Sequence, residues 1–247
     1  MADECHHISA VSFEQVLKEV NAKYVYGLTA TPARQDGHQP IIHMQCGPIR
    51  YQVDAKAQAE KRPFDHAVIP KFTSFAQPVT DEVPWKITDA YAAMQVDAER
   101  NEKIVEDVLV AVADGRTPIV LTERYDHAKL LAEILGEKSR NVVLLSGKGT
   151  AKEKREILQG LSLIPADEPL ILVATGRYVG EGFDLPRLDT LFLAMPVSWK
   201  GTLAQYAGRL HRNYEGKQEV LIYDYVDIRV PMLERMYHKR LSGYAAI

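Results

Sequence analysis

Pro118-Ile119-Val120-Leu121-Thr122 is an unbroken apolar run closed by a hydroxyl, and the stretch after it, His127 to Leu135, changes to helical spacing. The same two patterns recur downstream. Strand-like runs fall at Asn141 to Leu145, Leu170 to Ala174, Thr190 to Met195 and Glu219 to Tyr225. Helical spacing returns over Lys152 to Leu163 and Leu203 to Arg212, and Thr150 with Glu153 predicts a capping box for the first of these. Short apolar strands alternating with amphipathic helices predict a doubly wound α/β fold, a parallel sheet covered on both faces. Its crossovers are right-handed, and its ligand crevice lies outside the carboxyl ends of the strands. Upstream, Ile104, Val105, Val108, Leu109 and Val112 make one helix face ended by Asp114-Gly115, and His66 to Phe72 reads as a strand. Farther back, Tyr24 to Ala30 reads as a strand stopped by Pro32, and Phe13, Val16, Leu17 and Val20 have helical spacing. The polar stretch from Asp54 to Pro63 reads as a linker, which predicts two pieces, 1–60 and 61–247.

Composition sets outer limits. The chain has 247 residues, 46% hydrophobic and 26% charged, enough to bury a core. No apolar run nears the roughly 20 residues that span a bilayer, and two cysteines cannot build a disulfide framework, so a cytoplasmic protein without membrane contact is expected. A net charge of −3 argues against a broadly basic nucleic-acid coat, leaving local patches for any such contact.

Several short motifs carry chemistry. Asp3-Glu4-Cys5-His6 sets two carboxylates side by side, one able to hold Mg²⁺ through its waters and the next to orient an attacking water. A metal cluster of Cys5, His6, His7 and either Cys46 or His43 is the competing reading, but sequential ligands lack the usual zinc spacing. Thr29-Ala30-Thr31-Pro32 closes a predicted strand. The connection from Gly176 to Asp189 runs about a dozen residues without helical period, where roughly 2–6 is usual. It carries Gly180, Gly182 and Asp184. In Gln205-Tyr206-Ala207-Gly208-Arg209-Leu210-His211-Arg212, the residues Gln205, Arg209 and Arg212 fall at i, i+4 and i+7 and are expected on one helix face. The alternative is a solvated basic face. Ser146-Gly147-Lys148-Gly149-Thr150 lacks the spacing of a phosphate-binding P-loop, and no other stretch supplies it.

Taken in order, these motifs resemble motifs II to VI of superfamily 2 helicases of the DEAD/DEAH type, and look closest to helicases of bacterial conflict or restriction-like systems. The resemblance implies a RecA-like helicase C-terminal lobe over 61–247, preceded over 1–60 by part of a first RecA-like, ATP-binding lobe. It implies catalytic roles for Asp3, Glu4, His6, Gln205, Arg209 and Arg212, the two arginines acting as fingers on the γ-phosphate. Gly182 and Asp184 are implied on the nucleotide side. Thr122, Ser146, Gly147, Thr175 and Gly176 are implied as nucleic-acid contacts, with Lys148, Lys152, Lys154 and Arg155 as further phosphate contacts. Thr29, Ala30 and Thr31 are implied to couple hydrolysis to strand movement. ATP and Mg²⁺, the latter near Asp3, are the implied cofactors of a longer protein whose first lobe supplies the phosphate-binding loop. The chain alone is expected to be inactive and to hold neither tightly. The implied partners are nucleic acid, DNA ahead of RNA, and the remainder of the first lobe. The rival readings are a non-catalytic nucleic-acid-binding or regulatory RecA-like module, and a different doubly wound enzyme. The latter predicts a Gly-rich turn after the first strand, which is absent.

Overall fold

Every apolar run from 118 onward that reads as a strand forms one. In chain order the elements of the larger unit are β1 (Asp65–Phe72), α2 (Ile87–Val96), α3 (Ala98–Ala113), β2 (Pro118–Thr122), α4 (Tyr125–Lys138), β3 (Val142–Leu145), α5 (Ala151–Leu163), β4 (Ile171–Thr175), β5 (Thr190–Leu193), β6 (Glu219–Val226) and α6 (Pro231–Tyr244). α1 (Gln39–Cys46) precedes them. This computed structural model describes residues 1–3, 5, 19–29, 39–53, 64–78, 85–176, 185–197 and 206–244. The chain divides into two compact units, Met1–Gln58 and Ala59–Ile247.

In the larger unit the six strands form one sheet in the order β1-β6-β5-β2-β4-β3. All five pairings are parallel. This is the RecA-like doubly wound architecture expected from the alternation of strands and helices. Side-chain alternation explains why both faces are covered. Ile119, Leu121, Leu172, Leu191, Leu193 and Ile222 pack into one core cluster. Their neighbours Val120, Ile171, Val173 and Phe192 point the other way, onto Ile104, Val105 and Val108 of α3 and Leu131 and Leu135 of α4. Full burial stabilises each such aliphatic side chain by about 1.5–3 kcal/mol, so packing rather than propensity holds these helices. Asp97 caps α3 by accepting from Arg100 N at 2.8 Å. The reciprocal Thr150–Glu153 box opens α5 as expected.

Two buried arginines close the carboxyl end of the sheet. Arg100, 2% exposed, donates from Nε to Asp227 Oδ1 (3.0 Å), from a terminal nitrogen to Asp227 Oδ2 (3.3 Å), and from the other to Ala194 O (2.6 Å). It thereby ties the start of α3 to the exits of β5 and β6. Arg240 of α6 pairs with Asp224 Oδ2 at 2.8 Å and reaches Val197 O at 3.2 Å, while Tyr244 donates to the same Oδ2 at 2.8 Å. A third apolar cluster joins Ala90 and Met94 of α2 to Met195, Val230 and Leu233.

In the smaller unit, the strand expected over Tyr24 to Ala30 reduces, among the described residues, to one parallel bridge, Ala2 with Gly27. The bonds Ala2 N→Tyr26 O (2.7 Å), Leu28 N→Ala2 O (2.9 Å) and Cys5 N→Leu28 O (2.9 Å) flank it. Cys5 and Ile42 form a small buried cluster with Ala2 and Cys46 against them. The helix expected around Phe13 to Val20 lies outside the described residues except at its end.

Candidate functional site

Parallel strands deliver their last residues to one edge, and the pairing register places the expected contacts side by side there. Thr122 stands opposite Thr175, and Leu145 stands opposite Ala174, so Ser146 follows directly beside Thr175. Thr175 and Ser146 are half-buried and Gly147 is exposed. The loop after β3 is held in shape. Lys154 Nζ donates to Gly147 O at 2.9 Å, Thr150 N donates to Glu153 Oε2 at 2.5 Å, and Gly149 adopts φ +97°. That backbone bond, ahead of the bond to the Thr150 side chain, holds the Glu153 carboxyl below its ordinary range. Beside it lies an open groove of about 550 Å³ whose lining includes Leu144 and Ile157, where the Lys148 ammonium sits 3.8 Å from the centre of the Tyr125 ring. Of the basic residues expected to reach phosphates, Lys154 thus holds the loop, and Lys152 lies 3.8 Å from Glu156.

Thr122, implied above as a nucleic-acid contact, turns its side chain inward. It is 2% exposed, and its Oγ1 lies 2.8 Å from His127 Nδ1. The partner network fixes the protons. Asn101 Nδ2 donates to Gln95 O (3.0 Å), so Oδ1 is the acceptor facing His127 Nε2 at 2.9 Å. His127 therefore carries its proton on Nε2, and Nδ1 accepts from the Thr122 hydroxyl. Burial first, and the nearby Arg100 charge second, push the imidazole down to about 3. An unfolded histidine titrates near 6.5. Between these values the unfolded chain binds the extra proton, so the stability that depends on neutral His127 is complete above pH 6.5 and is lost as pH falls toward 3. Urea unfolding between pH 7 and 4 should show a contribution of about 1.4 kcal/mol per pH unit from this group. His127→Gln should flatten the profile by that slope. An unchanged profile in the variant would contradict the assignment.

Sequence reasoning passed over the residues that join the two glycine-bearing motifs. Gly176 is buried at the end of β4, and the Tyr206 hydroxyl stands where a Cβ would project, with Glu123 Oε1 3.1 Å from the same point. Burial, followed by the Glu123 charge, raises the Tyr206 phenol and pushes Tyr91 up to about 12. Desolvation raises the Glu123 carboxyl in turn. The legible signal for Glu123 was its place directly after β2. Gly176→Ala would force its methyl onto the Tyr206 oxygen, and overpacking of this kind costs about 1–3 kcal/mol. Removing the hydroxyl in a Gly176→Ala, Tyr206→Phe double variant should recover part of that loss in thermal melts. Strict additivity of the two changes would refute the contact.

Residues 206–210 are helical, with Tyr206, Ala207 and Leu210 buried, Arg209 half-buried and Arg212 exposed. The expectation that Arg209 and Arg212 share a helix face is corrected here. His211 N still donates to Ala207 O at 3.0 Å, but Arg212 lies past the last helical residue. The chain there enters a turn closed by Lys217 N→Tyr214 O (3.1 Å), with Gly216 at φ +83°, that redirects it into β6. In the smaller unit Asp3 is exposed in a turn and Thr29 is half-buried. Glu4, His6, Ala30, Thr31, Gly182, Asp184 and Gln205 lie outside the described residues. Cys5 and Cys46 bring their sulfurs together against Gly27, and burial raises the Cys46 thiol despite a bond from Cys5. Among the described residues no three potential metal ligands gather.

Residues 100–214 match the family described as the helicase conserved C-terminal domain, and residues 1–34 match the type III restriction enzyme res subunit. The Probable helicase D10 of Escherichia phage T5 is 24% identical over 232 residues, covering 92% of this chain and 48% of that protein. Among solved structures, T4 UvsW superposes with a TM-score of 0.56 at 18% identity, over 98% of this chain and 50% of that one. The C-terminal part of the Fun30 ATPase domain does so with a TM-score of 0.50 at 14% identity, over 62% and 50%. The matches are to superfamily 2 helicases. The restriction-like character rests on the match that contains Asp3 and Thr29. The helicase C-terminal match takes in α3 and the sheet edge from Thr122 through Thr175 to the helix of Arg209. The chain spans about half the length of the curated relatives it matches, 48%, 54% and 41% of the first three. Among the described residues no helix is long and apolar enough to cross a membrane.

Proposed function

We propose that this chain supplies the second half of an ATP-driven nucleic-acid motor, with arginine fingers on one side of its sheet edge and strand contacts on the other. The observation that carries the reading is the contact of Tyr206 with Gly176. It seats the arginine-bearing helix directly on the strand end that sits beside Ser146 and opposite Thr122. Ser146, Gly147 and Thr175 carry hydroxyls and backbone amides suited to a sugar-phosphate chain, and buried Gly176 follows directly after Thr175. Thr122 supports them from behind through His127. DNA is the proposed strand.

ATP and Mg²⁺ would bind with the complete first lobe of the longer protein. The donor set fits phosphate: Arg209 and Arg212 carry planar five-donor forks on a short, anchored segment. Asp3 offers an exposed carboxylate of the kind that holds Mg²⁺ through water. Glu4 is the proposed base, and Gly182 and Asp184 the proposed nucleotide contacts. Bound nucleotide supplies the phosphoanhydride whose cleavage drives the cycle. The residues of this chain neutralise charge at the phosphates and grip the strand. Thr29, Ala30 and Thr31 relay between the two tasks.

Two polypeptides test the proposal. The 247-residue chain should show no nucleic-acid-stimulated ATPase. A longer polypeptide that includes a first-lobe phosphate-binding loop should gain it, more with DNA than with RNA. Turnover by the short chain that survives Arg209→Ala would overturn the reading.

A further inference from the structure

The arginine-bearing helix is anchored at its start by Tyr206 on Gly176, and a second anchor holds its end. Lys217 Nζ donates to three backbone carbonyls: Pro186 O at 2.6 Å, Leu210 O at 2.8 Å and Arg212 O at 2.9 Å. Leu210 is the last helical residue and Arg212 is the second proposed finger, while Pro186 lies in the turn that precedes β5. An ammonium has three protons, and here each has its own carbonyl. We propose that Lys217 is a positioning residue that sets the place of Arg209 and Arg212 by pinning the end of their helix to Pro186, ahead of β5. The place of the fingers is thereby coupled to the chain entering β5. This coupling rests on the motor reading given above; the three-carbonyl clamp does not.

The chemistry restricts what can replace this group. A planar guanidinium cannot direct three donors onto three converging carbonyls, so arginine is a poor substitute. A neutral amine has only two protons and turns a lone pair toward the third carbonyl. Desolvation lowers the Lys217 ammonium to about 8, against an opposing pull from Asp189. Asp189 is itself held by Thr117 N and the Thr190 hydroxyl, with Arg116 adding its charge. The Phe64 ring lies 5.7 Å from the ammonium, and the His211 ring stacks on Phe64 with centroids 6.0 Å apart. The clamp is therefore complete below about pH 8 and opens above it.

Carbon-detected magnetic resonance of the full chain, with carbonyl labels at Pro186, Leu210 and Arg212, tests the clamp. In the wild type all three carbonyl shifts should move together between pH 7 and 10, with one midpoint shared with Lys217 Cε, while the Val120 and Phe192 carbonyls stay fixed. Lys217→Met should displace the three signals already at pH 7 and abolish their titration, and Lys217→Arg should not restore them. Carbonyls that stay flat while Lys217 Cε titrates, or that titrate apart from it, overturn the proposal. The wild-type titration decides even if a variant fails to fold. Failure of the longer polypeptide to hydrolyse ATP would refute the motor reading and leave the clamp standing.

Discussion

Arg100→Leu should destabilise the larger unit by about 3–5 kcal/mol, the cost of leaving one member of a buried ion pair without its partner. The side chain is 2% exposed and makes three bonds, two to Asp227 and one to Ala194 O. Leucine restores apolar volume but leaves the Asp227 carboxylate buried with only the Thr73 hydroxyl, at 2.5 Å, among the bonds described here. Typical domains are stable by about 5–15 kcal/mol in total, so the variant should sit close to the unfolding threshold. Replacing both partners by apolar residues, Arg100→Met with Asp227→Leu, removes both desolvated charges and should return most of the loss. Denaturant midpoints of the three proteins measure this directly. A single variant within about 1 kcal/mol of wild type would show that the pair is not desolvated as the structure places it.

In the longer polypeptide, Arg209→Ala should lower kcat by about 10³–10⁵, the range that arginine fingers supply, with nucleotide affinity changing far less. Each tenfold step corresponds to about 1.4 kcal/mol of transition-state stabilisation. Arg212→Ala should act in the same direction. The structure sets the two apart in their response to lysine. Arg209 is half-buried on the helix, where a planar fork is the harder group to replace, so Arg209→Lys should stay near the alanine level. Arg212 is exposed beyond the helix end, where a flexible ammonium can still reach an anion, and Arg212→Lys should retain part of the rate. Steady-state turnover with saturating DNA, alongside nucleotide dissociation constants, separates the cases. Loss that appears only in nucleotide affinity would remove both residues from the finger role.

The core of the fold was legible because buried parallel strands are written as short uninterrupted apolar runs. Residues 118–122 form a strand as read, and the others shift by only a residue or two at their ends. Residues at strand ends were legible for the same reason, since position alone assigns Thr122, Ser146 and Thr175 to one edge. What position cannot reveal is which way a side chain turns. Thr122 faces inward because His127 and Asn101 offer its hydroxyl a partner, and Asn101 sits on a helix 26 residues before His127. The spacing of Arg209 and Arg212 presupposed a helix that continues, whereas Leu210 is its last residue and Arg212 falls in the bend that follows. α2 was not legible, since Ile87–Val96 carries apolar residues without a clear stripe. α6 opens on Pro231, a first-turn signal that the reading left unused.

The order of the strands also governs how the chain can assemble. Among the described residues β1 lies at the edge of the sheet and pairs only with β6, so Asp65 finds Glu219, about 150 residues later. During synthesis at roughly 5–20 residues per second, β1 must wait on the order of 10–30 s for its neighbour to emerge. Over that interval its Val68 and Ile69 have no sheet to join. Pro70 interrupts the run with a residue that cannot donate to a ladder, which blunts mispairing between nascent chains on one ribosome cluster.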